Sequence, residues 1–406
     1  MTGSGPGGRV RRRQFLLGGA AVAGIGATSS LVAGIAAARP AAAPAETVDG
    51  RRSVAFHGRR QSGIETPPAA HSAFIALDLH PETDRSAIQR MLLVLSADAA
   101  DLTRGEAALA DTEPELATRP AGLTVTFGFG PGLVQRAGAE PPAWLRPLPA
   151  FGVDRLRDEW SHGDLLLHLA SDDPLTLAHA RRMLLKDARG FAAVRWVQTG
   201  FRTARGTQPA SATGRNLFGQ VDGTANPVPG SADFAELVWR RAGNPDWLHD
   251  GTGMVLRRIA MDVDRWDLLD RPGREEAVGR TLSTGAPITG GTEHSEPDFG
   301  AMNEFGFPVI PAYAHIRRAR SSDTAQRIYR RGYNYDERPG SGVSDSGLLF
   351  VSYQADIDAQ FVPLQRRLDQ LDLMNQWTAP VGSAVFALPP GCEPGGYVGE
   401  TLFRGS

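Results

Sequence analysis

The sequence predicts an α+β fold made of two ferredoxin-like βαββαβ halves, and three observations carry that prediction. A chain of 406 residues with 41% hydrophobic and 22% charged residues has the balance of an ordinary globular protein and the length of two average domains. Short alternating apolar runs in the first half are separated by segments of helical period, in the order βαββαβ. The same order returns, more loosely, in the second half.

The elements follow from the local pattern. His71 to Leu79 alternates as a strand, and from Asp84 to Arg104 the apolar residues Ile88, Met91, Leu92 and Leu95 fall on one helical face. Gly122 to Gly130 and Asp164 to Ser171 read as strands, Pro174 to Lys186 as a helix opened by proline, and Ala192 to Thr199 as the fourth strand. In the second half the readings are a strand at Gly253 to Val263, a helix at Trp266 to Arg280, a strand at Gly347 to Asp356, a long helix at Ile357 to Trp377 and a strand at Ser383 to Leu388. Two glycine-rich stretches, Gly285 to Phe307 and Arg330 to Gly347, exceed the usual length of connections, and long loops on a rigid scaffold are where sites tend to lie. The expected organisation is a leader at 1–45, an N-terminal half at 46–215 and a C-terminal half at 216–406.

The leader has a basic start, Arg11-Arg12-Arg13-Gln14-Phe15-Leu16, followed by an uncharged run to Ala38. Its glycines keep it weakly apolar and Ala43-Pro44-Ala45 offers a small-residue cleavage site, which favours a cleaved twin-arginine export signal over the alternative of a transmembrane anchor. That route carries folded proteins, often with a cofactor already inserted. Export places the chain outside the cytoplasm, in the extracellular space or the periplasm and cell envelope.

Composition removes several classes. The net charge of −2 and the lack of a basic stripe beyond the N-terminus give nucleic acid no footing. The single cysteine, Cys392, excludes an intramolecular disulfide and a thiolate metal cage. Zinc-peptidase, serine-hydrolase, phosphate-loop and c-type haem motifs are absent, and Gly219 to Gly223 is no dinucleotide fingerprint.

Two settings stand out from this background. In Arg215-Asn216-Leu217-Phe218-Gly219-Gln220-Val221-Asp222-Gly223-Thr224-Ala225-Asn226-Pro227 a carboxylate sits between glycines, as a turn residue or as a working acid. In Ala314-His315-Ile316-Arg317-Arg318-Ala319-Arg320, with Arg330-Arg331-Gly332-Tyr333 fifteen residues after the histidine, an imidazole stands among guanidinium groups. Those arginines suit either a solvated surface or a site for an anionic cofactor whose carboxylates they grip.

Taken together, the twin-arginine leader, Gln61-Ser62-Gly63-Ile64, Gly219-x-x-Asp222-Gly223, Ala314-His315-Ile316-Arg317 and Arg330-Arg331-Gly332-Tyr333 resemble the dye-decolourising peroxidases of the exported A-type, in order along essentially the whole mature chain. The resemblance implies the family's duplicated, dimeric α+β barrel-like fold with one haem b per chain in the C-terminal half. It implies His315 as the proximal ligand to the haem iron, and Asp222 and Arg330, the first of the arginine pair, on the distal side. Gly223, Thr224 and Ala225 would run along the haem edge, with Arg320, Ser321 and Ser322 near the propionates. Many relatives have asparagine where this chain has Arg320.

The implied activity is reduction of hydrogen peroxide at the expense of bulky aromatic or dye-like donors. Peroxide must lose a proton from one oxygen and regain it on the other before water can leave, which calls for a positioned acid–base, here Asp222. Arg330 would supply fixed positive charge where negative charge develops. A carboxylate in that role predicts activity favouring mildly acidic conditions. Large donors cannot enter a peroxide-sized pocket, so Trp266 and Tyr335 are the expected surface relays for their electrons. The expected partners are hydrogen peroxide, such donors, the twin-arginine translocase during export and, as a homo-oligomer, further copies of the chain. A second reading keeps the fold and haem but makes the protein an exported haem handler that releases iron from haem in a deferrochelatase-like way.

Overall fold

The computed structural model describes residues 50–404 except 210, 240–242, 341 and 343. The expected leader at 1–45 lies outside the described residues.

The first half forms as its pattern dictates. Strand β1 (His71–Leu79) leads to helix α1 (Arg85–Arg104), which Asp84 caps by accepting from the Ala87 amide at 2.8 Å and which Gly105 ends in the left-handed region at φ 81°. Strand β2 (Thr124–Phe129), the short helix α2 (Pro131–Arg136), strand β3 (Leu165–Ser171), helix α3 (Pro174–Ala188) and strand β4 (Ala192–Phe201) complete it. All pairings are antiparallel, in the order β2-β3-β1-β4.

The second half begins with a single turn, α4 (Ala232–Phe234), running into a π-helical turn at Ala235–Trp239. Strand β5 (Thr252–Met261) follows, then α5 (Val263–Trp266), α6 (Arg271–Val278), α7 (His315–Ala319) and strands β6 (Tyr329–Arg330), β7 (Tyr333–Glu337) and β8 (Asp345–Gln354). Helix α8 (Phe361–Leu371) and strand β9 (Thr378–Leu388) close it. Strand β5 lies between β8 and β9, and β7 pairs with the outer edge of β8, so the order β7-β8-β5-β9 matches that of the first half.

The two four-stranded sheets join edge to edge. Phe129 pairs with Ala387 across β2 and β9, and Phe201 pairs with Asn334 across β4 and β7, so the strands close into a ring and leave no long free edge. Gln61 extends the first seam. Its amide oxygen accepts from Phe127 N at 2.7 Å, and its nitrogen donates to the carbonyls of Phe127 at 3.0 Å and Pro389 at 2.9 Å, doing the work of a missing ladder rung.

Strand alternation divides the core. Ala73, Ile75 and Leu77 of β1 face outward onto Ile88, Met91, Leu92 and Leu95 of α1 and Leu177 and Leu184 of α3. Phe74 and Ala76 face the other way, into a ring interior filled by Trp196, Tyr333, Tyr353 and Phe386.

Three expectations for the second half are corrected. The helix expected at Trp266–Arg280 is two pieces, because Asp270 caps a new start through the Gly273 amide and Pro272 takes the first turn. The helix expected at Ile357–Trp377 stops at Leu371 and resumes as a 3₁₀ turn at Leu373–Gln376. The glycine-rich stretch Arg330–Gly347 contains β7, the strand that completes βαββαβ.

Between the outer helices, Asp98 of α1 stands against Asp187 of α3. Burial, then the hydrogen bond and charge of Asp98, push the Asp187 pKa up to about 7. The folded state therefore keeps a proton that the unfolded chain has lost, from about pH 4 to about pH 7, and stability falls as pH rises through that window. Asp187→Asn should flatten this dependence, leaving the variant more stable than the parent at pH 8 in denaturant unfolding and no more stable at pH 4.

Candidate active site

The glycine-flanked carboxylate sits at the end of a tight hairpin. Arg215 and Val221 form an antiparallel bridge, Gly219 turns at φ 78°, and the Asp222 amide donates to Gly214 O at 2.9 Å. Gly223, at φ 121°, takes a backbone conformation that side-chain-bearing residues rarely adopt. The turn reading and the acid reading of Asp222 are therefore compatible: the turn is what presents the acid.

Asn226 ties this loop to β6. Its Nδ2 donates to Arg330 O at 2.7 Å and its Oδ1 accepts from Arg330 N at 3.0 Å, as a neighbouring strand would. Arg330 Nη1 then reaches Asp222 Oδ1 at 3.0 Å, with both side chains about a quarter exposed. Arg331 points the other way, into the ring interior, where it donates to the carbonyls of Gly63, Ile64 and Thr66. The Gln61-to-Ile64 segment thus bridges a sheet seam and anchors the residue next to Arg330.

His315 opens α7, and its Nδ1 lies 2.6 Å from Oδ2 of Asp372. Asp372 sits at the break after α8, caps the 3₁₀ turn through the Met374 amide at 3.0 Å, and exposes 3% of its side chain against 34% for His315. A buried carboxylate at Nδ1 draws the proton to that nitrogen and turns the Nε2 lone pair outward, the arrangement of an imidazole that binds a metal. Burial alone would lower the His315 pKa, but the charge and hydrogen bond of Asp372 raise it above the ordinary value. Arg330 and Asp222 also act on this ring, in opposite directions, so the structure brings the three residues within mutual electrostatic reach.

Around α7 and α8 lies a second group of cations. Arg367 Nη1 donates to Gln326 Oε1 at 2.7 Å, an oxygen that also accepts from Ser321 Oγ at 3.0 Å. Arg367 Nε and Nη2 are buried without a protein partner, and Arg318 approaches near enough to donate to the Arg367 carbonyl at 3.1 and 3.0 Å. Buried guanidinium donors left open beside a second guanidinium fit the carboxylates of an anionic cofactor. Among the described residues no group of three or more His, Cys, Asp or Glu side chains forms a bare-metal site, so a lone histidine with an anion cradle suits haem better than a free ion.

The other expected residues are placed as follows. Thr224 Oγ1 donates to Glu293 Oε1 at 2.9 Å, tying the hairpin to the loop that carries Glu293. Arg320 and Ser322 are exposed, and Arg320 pairs with Glu296 rather than with the Ser321–Arg367 group. The surface-relay expectation for Trp266 and Tyr335 is corrected: they are 1% and 2% exposed. Trp266 is packed between Phe218 and Trp377, and Tyr335 is covered by the Arg258 guanidinium, so neither meets a bulky donor directly. Asp372, Asn226 and Arg367 escaped the sequence reading. Asp372 alone carried a signal, as a carboxylate flanked by Leu371 and Leu373.

The chain is similar to known proteins over most of its length. The family model for the Dyp-type peroxidase N-terminal domain matches residues 61–202, and the C-terminal one residues 213–393. The chain is 37% identical over 419 residues to a dye-decolorizing peroxidase of Thermobifida fusca (strain YX), covering 97% of both chains, and 31% identical over 369 residues to a deferrochelatase of Escherichia coli (strain K12), covering 86% of this chain and 87% of that one. The crystal structure of a DyP-type peroxidase from Cellulomonas bogoriensis superposes with a TM-score of 0.85 at 54% identity, covering 88% of this chain and 99% of that one. Ferric DtpA from Streptomyces lividans gives 0.84 at 39%, covering 88% and 98%. At 20% identity, a Rhodococcus jostii RHA1 DypB variant solved in complex with heme shares the fold at a TM-score of 0.62, covering 84% and 97%. The fold and these relatives are those of a haem-dependent peroxidase of the dye-decolourising type. The chain belongs to the Dyp-type peroxidases.

Asn226→Ala should release the hairpin from β6 and loosen the Asp222–Arg330 pair. The expected result is a fall of roughly tenfold or more in the bimolecular rate with peroxide, followed by stopped-flow absorbance.

Proposed function

We propose that the chain binds one haem b through His315 Nε2 and reduces hydrogen peroxide with electrons from bulky aromatic, dye-like donors. The observation that carries this reading is the His315–Asp372 pair within electrostatic reach of the Asp222–Arg330 ion pair. Haem, when bound, supplies the redox-active iron that accepts the oxidising equivalents of peroxide.

The remaining steps belong to the chain. Asp372 holds His315 in one tautomer and strengthens it as a ligand. Asp222 takes a proton from one peroxide oxygen and returns it to the other, which departs as water. Arg330 holds positive charge against the charge developing on that oxygen and, through the ion pair, keeps Asp222 in position. Arg367, Arg318 and Ser321 would take the cofactor carboxylates, with Gly223, Thr224 and Ala225 along its edge. The Arg11–Arg12 motif supports export of the folded, loaded chain through the twin-arginine route to the cell envelope or beyond.

A second reading, release of iron from haem, is favoured by the 31% identical relative named a deferrochelatase. The 37% identical relative, matched over 97% of the chain, favours the peroxidase. Holoprotein that accumulates metal-free porphyrin and free iron without consuming peroxide would replace the first reading by the second.

Asp222→Asn tests the acid–base role. The variant should keep its resting absorption spectrum while its reaction with peroxide slows by roughly 10²- to 10⁴-fold. An unchanged rate would take the role away from Asp222.

A further inference from the structure

The inside of the ring carries a charge that no carboxylate balances. Arg331 donates there to the carbonyls of Gly63 and Ile64 at 2.6 and 2.7 Å, to that of Thr66, and to Tyr329 Oη at 3.2 Å. All of these partners are neutral. The residue is 3% exposed, and among the described residues no Asp or Glu pairs with its guanidinium. A charge buried so deeply is ordinarily paired.

The same interior holds donors without a protein partner. Arg331 Nε is one, and the others are Tyr333 Oη, Tyr353 Oη, Gln198 Nε2 and, in the tautomer that protonates it, His168 Nδ1. Tyr333, Tyr353, Gln198 and His168 are each at most 1% exposed, so solvent does not serve them. Strand pairing gathers them. Tyr353 lies opposite Tyr329 across β6 and β8, with the rings 6.1 Å apart, and the Arg331 amide donates to Val351 O, which sets Arg331 between Tyr329 and Tyr333. Gln198 lies opposite Phe74 across β1 and β4. Phe74 stacks on His168 at 4.1 Å, and Tyr333 meets both rings edge-on, at 6.0 and 6.2 Å.

These side chains are donors and not counter-charges. Burial raises the pKa of Tyr333 and of Tyr353, so both phenols keep their protons at neutral pH. Burial, and then the charge of Arg331, lowers that of His168 to about 3, so the imidazole stays neutral. Asp172, the carboxylate that acts on Tyr333, is already bound by Arg52 and Arg205, and the Arg202 guanidinium lies 5.9 Å from the Tyr333 ring.

One buried cation among unused O–H and N–H donors has the chemistry of an anion site. Phe74, Trp196 and Phe386 fill much of the interior, which suits a monatomic anion better than a carboxylate or a phosphate. We propose that the ring interior binds a halide ion among Arg331, Tyr333, Tyr353 and Gln198, as the counter-charge of Arg331. Ser72, whose Oγ lies 3.1 Å from His168 Nε2, also lines a surface cavity of about 290 Å³, so one side chain separates this interior from solvent. Arg181 stands in that cavity against Asp336 and Glu337, so the attraction comes from Arg331 and not from the entrance. Arg331 anchors the strand that carries Arg330, which couples the halide to the placement of Arg330. Nothing in this site requires haem, and it stands or falls separately from the peroxidase reading.

Sodium bromide is the probe, on the purified holoprotein. Crystals soaked in bromide and measured at the bromine absorption edge should show an anomalous peak inside the ring, beside Arg331 Nε. In solution, with sodium isethionate holding the ionic strength constant, the midpoint of thermal unfolding should rise by about 2 °C per tenfold increase in bromide once the site is filled. Tyr333→Phe/Tyr353→Phe removes two hydroxyls and keeps both rings; in this variant the rise should begin at roughly tenfold higher bromide. Bromide confined to surface arginines, an adventitious ion only, would overturn the proposal. So would water oxygens alone at the interior donors, or a thermal response identical in the parent and the double variant.

Discussion

The contact between His315 and Asp372 is the constraint on which the site depends. A carboxylate exposed by 3% is costly to bury unless it is well bonded, and this one takes the imidazole Nδ1 at 2.6 Å and the Met374 amide at 3.0 Å. Meeting both partners requires the backbone to leave the helix at Leu371, turn extended at Asp372 and resume as a 3₁₀ turn. The same break carries Trp377 to the surface against Trp266. One buried acid therefore orients the candidate iron ligand and fixes where Trp377 packs on Trp266.

The opposite partners are held by a different device. Asp222 and Arg330 come from segments more than a hundred residues apart, and Asn226 joins them by copying a strand's hydrogen bonds to the Arg330 backbone. Arg331 pulls on the same short strand from inside the ring, gripping the carbonyls of Gly63, Ile64 and Thr66. Because Gln61 of that segment also spans the β2–β9 seam, closure of the sheet and placement of Arg330 are coupled. The N-terminal half contributes to the site by holding Arg330 in place.

Apart from the short α2, the first half was legible to within about two residues at each end, because its strands and long helices carry their own period and caps, as Asp84 and Gly105 do for α1. The second half was less so. In Tyr333–Glu337 two inward tyrosines are diluted by Asn334, Asp336 and Glu337, so β7 has no apolar run to betray it. The long helix was misread because the apolar period continues through Leu371, Leu373 and Met374, whereas the break is imposed by a distant histidine. His315, Asp222 and Arg330 were legible through motif resemblance. Asp372, Asn226 and Arg367 were not, since their importance lies in partners far away in sequence. The burial of Trp266 and Tyr335 was hidden for a like reason: what covers them is Trp377 and Arg258.

The central claim is that His315, held by Asp372, is the ligand to a haem iron. Resonance Raman spectroscopy of the ferrous protein tests it most directly, by the iron–histidine stretching band. The band should be present in the parent, absent in His315→Ala, and shifted to lower frequency in Asp372→Asn, where the imidazole loses its carboxylate partner and binds more weakly. A band that persists unchanged in His315→Ala would contradict the assignment and the account built on it.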